Sequence, residues 1–95
     1  MTYIVLGNFT DQGIKNIKDS PKRVDAMEQM VQKAGGKLVG FYATMGQYDL
    51  VMIAEGPNDE TAFTQLIALA MLGNVRTTTL KAFTREEYAK ILGKL

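Results

Sequence analysis

The chain has 95 residues, with 11 basic and 10 acidic side chains, no histidine and no cysteine, and a formal net charge of +1. That balance leaves no basic stripe for nucleic acid, and without His or Cys the imidazole bases, thiolate nucleophiles and usual zinc, haem or iron–sulfur ligand sets are excluded, so no metal or cofactor is expected. One domain spanning residues 1–95 is expected, in the cytoplasm: the longest apolar runs fall well short of the ~20 residues of a membrane span, and MTYIVLGNF lacks the basic lead of a signal peptide.

Thr2 to Phe9 is β-branched and aromatic and reads as a first strand. Thr10 caps a short helix near residues 11–18, which Ser20-Pro21 interrupts. A second helix runs from Pro21 to Ala34 with Ser20 as its cap. Val24, Met27, Val31 and Ala34 form its inward stripe, and Gly35-Gly36 stops it. Lys37 to Met45 reads as a second strand, Gly46-Gln47 as a tight connection and Tyr48 to Glu55 as a third strand, an antiparallel hairpin. A helix opens at Pro57-Asn58-Asp59-Glu60, with Asn58 or Asp59 capping and two acids at its positive end, and stops at Gly73-Asn74. Val75 to Phe83 is a fourth strand, and Thr84-Arg85-Glu86-Glu87 is the T-x-x-E capping box of a terminal helix. The order βαββαβ plus a last helix is the ferredoxin-like α+β arrangement, with both long helices on one face of an antiparallel sheet.

A sheet with one wet face should alternate polar and apolar residues, yet Tyr3-Ile4-Val5-Leu6 and Leu50-Val51-Met52-Ile53 are apolar on both sides. Left bare, that face would be an apolar patch of roughly several hundred Å², more than monomers usually tolerate. The simplest cover is a second copy, sheet against sheet, which makes the chain at least a homodimer and the pair a dimeric α+β barrel. Leu66 to Leu72 leave the third helix apolar all round, so it is covered either by further subunit packing or by the terminal helix through Tyr88, Ile91, Leu92 and Leu95.

Three segments carry a family resemblance: VLGNFTDQGIKNIKDSPKR at Val5–Arg23, TMGQYDLVMIAEGPND at Thr44–Asp59 and LGNVRTTTLKAFT at Leu72–Thr84. With these the chain resembles the GYD-domain family over essentially its whole length, the motif reading Gly46-Gln47-Tyr48-Asp49. The resemblance implies a dimeric α+β barrel and no particular activity. A fainter likeness extends to the effector-binding domains of Lrp/AsnC-type regulators, where small molecules bind near subunit interfaces; the same superfamily also holds cofactor-free monooxygenases and small isomerases. That likeness supplies candidates and no assignment.

Five residues are singled out as ligand-binding candidates: Tyr48, Asp49, Arg76, Asn8 and Thr78. Asp49 either fixes its turn through backbone amides or accepts from a ligand. Tyr48 either plugs the end of the sheet or offers its hydroxyl to a pocket. Arg76, inside the fourth strand, could pair with Asp49 or Glu55 or hold an anion bidentately. Thr77 and Thr79 share one face while Thr78 takes the other, so one set at most lines a cavity. Asn8, Thr10 and Gln12 surround the first strand-to-helix connection, with turn and cap as their first role. Lys15, Lys18, Lys22, Arg23 and Lys33 alternate with acids and read as a solvated face. The leading function is a non-catalytic oligomeric module binding a small molecule or partner at a subunit interface. The alternatives are a cofactor-independent enzyme with Asp49 as base and Tyr48 and Arg76 stabilising an oxyanion, and a structural assembly unit.

Overall fold

A computed structural model describes Met1–Leu95 and has the α+β, ferredoxin-like architecture that the sequence predicts. The strands are β1 (Thr2–Phe9), β2 (Lys37–Ala43), β3 (Leu50–Glu55) and β4 (Val75–Ala82). The helices are α1 (Asp11–Lys15), α2 (Ser20–Lys33), α3 (Asp59–Met71) and α4 (Arg85–Leu92), with a 3₁₀ turn at Ile17–Asp19. All strand pairs are antiparallel, in the order β2-β3-β1-β4.

The helix starts follow the side chains that satisfy free amides. Thr10 accepts from the Gly13 amide, Asn58 from the Thr61 amide, and Thr84 and Glu87 complete a reciprocal capping box. One cap differs from expectation. Ser20 is the first residue inside α2, Asp19 takes the cap position without a side-chain bond, and Pro21 fits the first turn where its missing amide costs nothing. The β2–β3 connection also differs: it spans Thr44–Asp49 instead of Gly46-Gln47 alone, so Met45, Tyr48 and Asp49 lie outside the strands. Thr44 closes this loop from both sides, its amide donating to the Asp49 carbonyl (2.9 Å) and its hydroxyl to the Tyr48 carbonyl (2.5 Å). Gly46 sits at φ +111°, a conformation that a side chain would resist.

The register sorts each strand into two faces. Tyr3 and Val5 of β1, Leu50 and Met52 of β3 and Val75 of β4 are buried under the helices. Tyr3, Val5, Met52 and Met27 of α2 form the core cluster, against which Val24, Leu38, Phe41 and Leu69 pack. In β2, Leu38 pairs with Ala54 but Gly40 pairs with Ile53, leaving Val39 as an extra, unpaired residue. This bulge lets Leu38 and Phe41, three apart in sequence, both point into the core, which strict alternation would forbid.

The opposite face of the sheet carries no helix. Ile4 and Leu6 of β1, Val51 and Ile53 of β3, Leu80 of β4 and Tyr42 of β2 share it. Tyr42 and Leu80 are well exposed, and the other four are half-buried by one another. On α3 no residue is fully buried, and Phe63, Ile67 and Met71, one helical turn apart, form an exposed apolar stripe. The expected cover from the terminal helix is absent within the chain. Every residue from Phe83 to Leu95 is exposed, so α4 projects from the body with Tyr88, Ile91 and Leu92 in solvent. No helix is long and apolar enough to cross a membrane.

Candidate functional site

The five residues singled out in the sequence gather at one end of the sheet, though not as a closed pocket. Asn8 and Arg76 are direct partners across β1 and β4, and Thr78 faces Leu6 one step further along; all three belong to the open face. Arg76 and Thr78 are exposed. Asp49 lies just beyond the Gly7–Leu50 pair, where its amide donates to the Gly7 carbonyl and its Oδ2 accepts the Phe9 amide, each at 2.9 Å. Its carboxylate therefore ties the end of β1 to the loop, instead of accepting amides within its own turn as the structural reading has it. Tyr48 is half-buried in that loop.

Arg76 pairs with neither acid proposed for it. The only ion pair in the molecule is Lys81–Asp59. Glu55 stands opposite Thr2 while Arg76 stands opposite Asn8, so the two are separated by nearly the whole of β1, about 20 Å at ~3.3 Å per residue. Thr77 and Thr79 take the helix side of β4, leaving Thr78 as the threonine available to the open face.

The first connection is built as its residues suggested. The Thr10 hydroxyl donates to the Gly73 carbonyl (2.6 Å), and Gln12 Nε2 donates to the Leu72 carbonyl (3.1 Å) and to Asn74 Oδ1 (3.0 Å). These bonds staple the β1–α1 corner to the α3–β4 turn. Gly13 is pressed so close to the Asn74 backbone that a Cβ there would lie 2.0 Å from the Asn74 carbonyl oxygen.

Two features escaped the sequence reading. At the far end of the sheet the Tyr3 hydroxyl donates to Asp59 Oδ1 (2.6 Å), and Lys81 Nζ reaches Asp59 Oδ2 (2.9 Å). Burial, with the adjacent carboxylate, pushes the Tyr3 phenol up to about 12, while the bonds from Tyr3 and Lys81 hold the Asp59 carboxyl below its ordinary value. Strand register sets Tyr3 opposite Lys81, and the packing of the α3 N-terminus brings Asp59 to them, so no sequence spacing signals the three. The second is Arg23, assigned to a solvated face and found otherwise. Its Nη1 donates to the Asn16 carbonyl (3.0 Å), but its Nη2 is buried and has no partner within the chain. Its position one helical turn before the buried Met27 was the available clue.

The chain matches the GYD domain family over residues 3–92. It is also 34% identical over 82 residues to the glutamine synthetase and cystathionine beta-lyase binding protein of Thermus thermophilus, the match covering 85% of this chain and 86% of that protein. On the family match and on this relative, which bears a binding role in its name, the chain belongs to the GYD domain family.

Proposed function

We propose that this chain is a non-catalytic binding protein that pairs with a second copy through the open face of its sheet and docks on an enzyme partner through its exposed helices. The observation that carries the reading is the amount of apolar surface left outside the core. Ile4, Leu6, Val51, Ile53 and Leu80 make one continuous face, and the stripes on α3 and α4 make two more. Unpartnered apolar surface of this kind marks interaction sites, and a self-complementary sheet face is suited to two-fold pairing. Closing that face on a second copy would leave Phe63, Ile67 and Met71 of α3 and Tyr88, Ile91 and Leu92 of α4 for a different protein. The relative's name supports an enzyme in that role. At the polar end of the paired sheets, Arg76, Asn8 and Thr78, with Tyr48 and Asp49 at the rim, are the positions from which a small molecule held between subunits would be bound.

Light scattering at micromolar concentration should give a dimer for the native chain and a monomer for Leu6→Asp, which places a charge at the centre of the face. A monodisperse native monomer rejects the pairing. The native chain should then retain glutamine synthetase or cystathionine beta-lyase from the same source in a biosensor experiment, and Ile67→Glu should abolish the retention. Equal retention by Ile67→Glu, or none by the native chain, rejects the docking.

A further inference from the structure

Between α2, α3 and the Phe9–Val75 end of the sheet lies an apolar cavity of about 170 Å³. Its walls include Phe9, Met27, Phe41, Leu50, Leu69 and Val75, and no acidic residue lines it. The one charged group at the cavity is Arg23, whose Nη2 is the buried, unpartnered nitrogen described above. A buried donor without an acceptor has lost its water and gained nothing in return, the more so when charged, so the fold carries a standing penalty that an incoming acceptor would remove. Nothing in the chain supplies that acceptor: the only ion pair is at the other end of the sheet, between Lys81 and Asp59.

We infer that this cavity is a binding site for a small monocarboxylate with a compact apolar or aromatic body, its carboxylate on Arg23 Nη2 and its body among the Met, Phe and Leu side chains. Size, charge and polarity each narrow the ligand. Drug-sized ligands occupy roughly 300–1,000 Å³, whereas a dry cavity of about 150 Å³ accepts a single benzene ring, so the space suits one ring or a short branched chain. A single guanidinium with one nitrogen already engaged by Asn16 neutralises one negative charge; a phosphate dianion would leave the second uncompensated in an apolar setting. Eleven of the fourteen lining residues are hydrophobic, too few polar groups for a sugar or nucleotide. Ser20 and Asn74 complete the lining as its uncharged polar residues. This site lies under the helices, on the side of the sheet opposite Arg76 and the open face, so it is independent of the proposed subunit pairing.

The test uses benzoate and phenylacetate as probes against the full chain, followed by the methyl resonances of Met27, Met30 and Met52 and by calorimetry. The carboxylates should saturate and move those methyls, benzamide should bind at least tenfold more weakly, and inorganic phosphate should not move them. Arg23→Met keeps the aliphatic stem and should cost the carboxylates at least tenfold while leaving benzamide unchanged. Leu69→Phe fills the cavity and should abolish binding of every probe; each variant's fold is checked by its amide spectrum. No saturation by either carboxylate at millimolar concentration, equal binding of benzamide and benzoate, or carboxylate binding unaffected by Arg23→Met would each overturn the assignment.

Discussion

Single side chains set the limits of this fold at two points. At Gly13 the α1 backbone meets the Asn74 carbonyl so closely that no Cβ fits. Because the obstacle is backbone, the corner itself would have to move. Gly13→Ala is expected to lower stability by about 1–3 kcal/mol, the usual cost of overpacking, read as a fall in the urea midpoint at unchanged slope. At the other end Asp59 and Tyr3 make stability depend on pH in both directions. The folded Asp59 carboxyl titrates below its ordinary 3.8, so its contribution is present above that value and is lost as pH falls through the lower folded value. The Tyr3 phenol, raised from 10.0 to about 12, favours the fold below pH 10, and that contribution is lost as pH climbs through this interval. Replacing Asp59 by Asn should therefore flatten the acid limb of the stability profile relative to the native chain. An identical acid limb in the two proteins would show that the carboxylate is uninvolved. Asp49 is legible only in part: its place after a glycine turn marks a carboxylate that accepts a backbone amide, but that amide belongs to Phe9 at the end of β1 and not to its own turn. Arg76 and Arg23 could not be told apart in the same way. Whether an arginine on a patterned segment meets solvent, an acid or a cavity depends on neighbours that only the folded register assembles.

Among the elements, every helix cap but Ser20 is legible in the sequence. Thr10, Asn58 and the Thr84–Glu87 box each start the helix expected of them, and β1 has the predicted ends, Thr2 and Phe9. The β2–β3 connection is longer than the sequence predicts, because Tyr48 is a good strand former whereas the bonds from Thr44 to Tyr48 and Asp49 close a longer loop. For α3 the sequence leaves two covers open, further subunit packing and the terminal helix. An apolar helix announces that it needs a neighbour without saying which one, and α4 does not supply it here. Because α4 is exposed throughout, Ile91→Glu should shift monomer stability by no more than about 0.5 kcal/mol in thermal unfolding. The same change should weaken capture of the enzyme partner proposed above. A loss of several degrees in Tm would instead reveal packing of α4 against its own chain.

For the molecule as a whole, shape carries the same message as surface chemistry. The radius of gyration is 14.3 Å and the extents are 49 × 31 × 17 Å, against about 12 Å for a compact chain of this length. One long axis and one thin one describe a sheet with helices on a single side and an arm at its end. Only Tyr3, Val5, Met27, Leu50, Met52 and Val75 form the buried apolar core, and none of them is completely enclosed. A protein whose stability draws on a second copy unfolds at a temperature that rises with its own concentration. Tm should therefore climb across a hundredfold dilution series for the native chain and stay constant for Leu6→Asp. A concentration-independent Tm for both would leave the open face without a stabilising partner.

The extra residue in β2 bears on which assemblies this sheet permits. β2 is an outer strand, and a straight outer strand presents unpaired amides and carbonyls to any passing chain, which is how sheets extend into fibrils. Val39 interrupts that row in its middle and twists the border, and at the other border β4 carries Arg76 and Lys81. Growth side by side is thereby blocked on both margins while the broad surface stays open. Deleting Val39 would keep Leu38 and Phe41 on the core side while restoring an unbroken margin, and the resulting protein should fold yet form thioflavin-positive fibrils faster than the native chain. A one-residue irregularity thus separates a sheet whose margin resists strand addition from one that could polymerise without end.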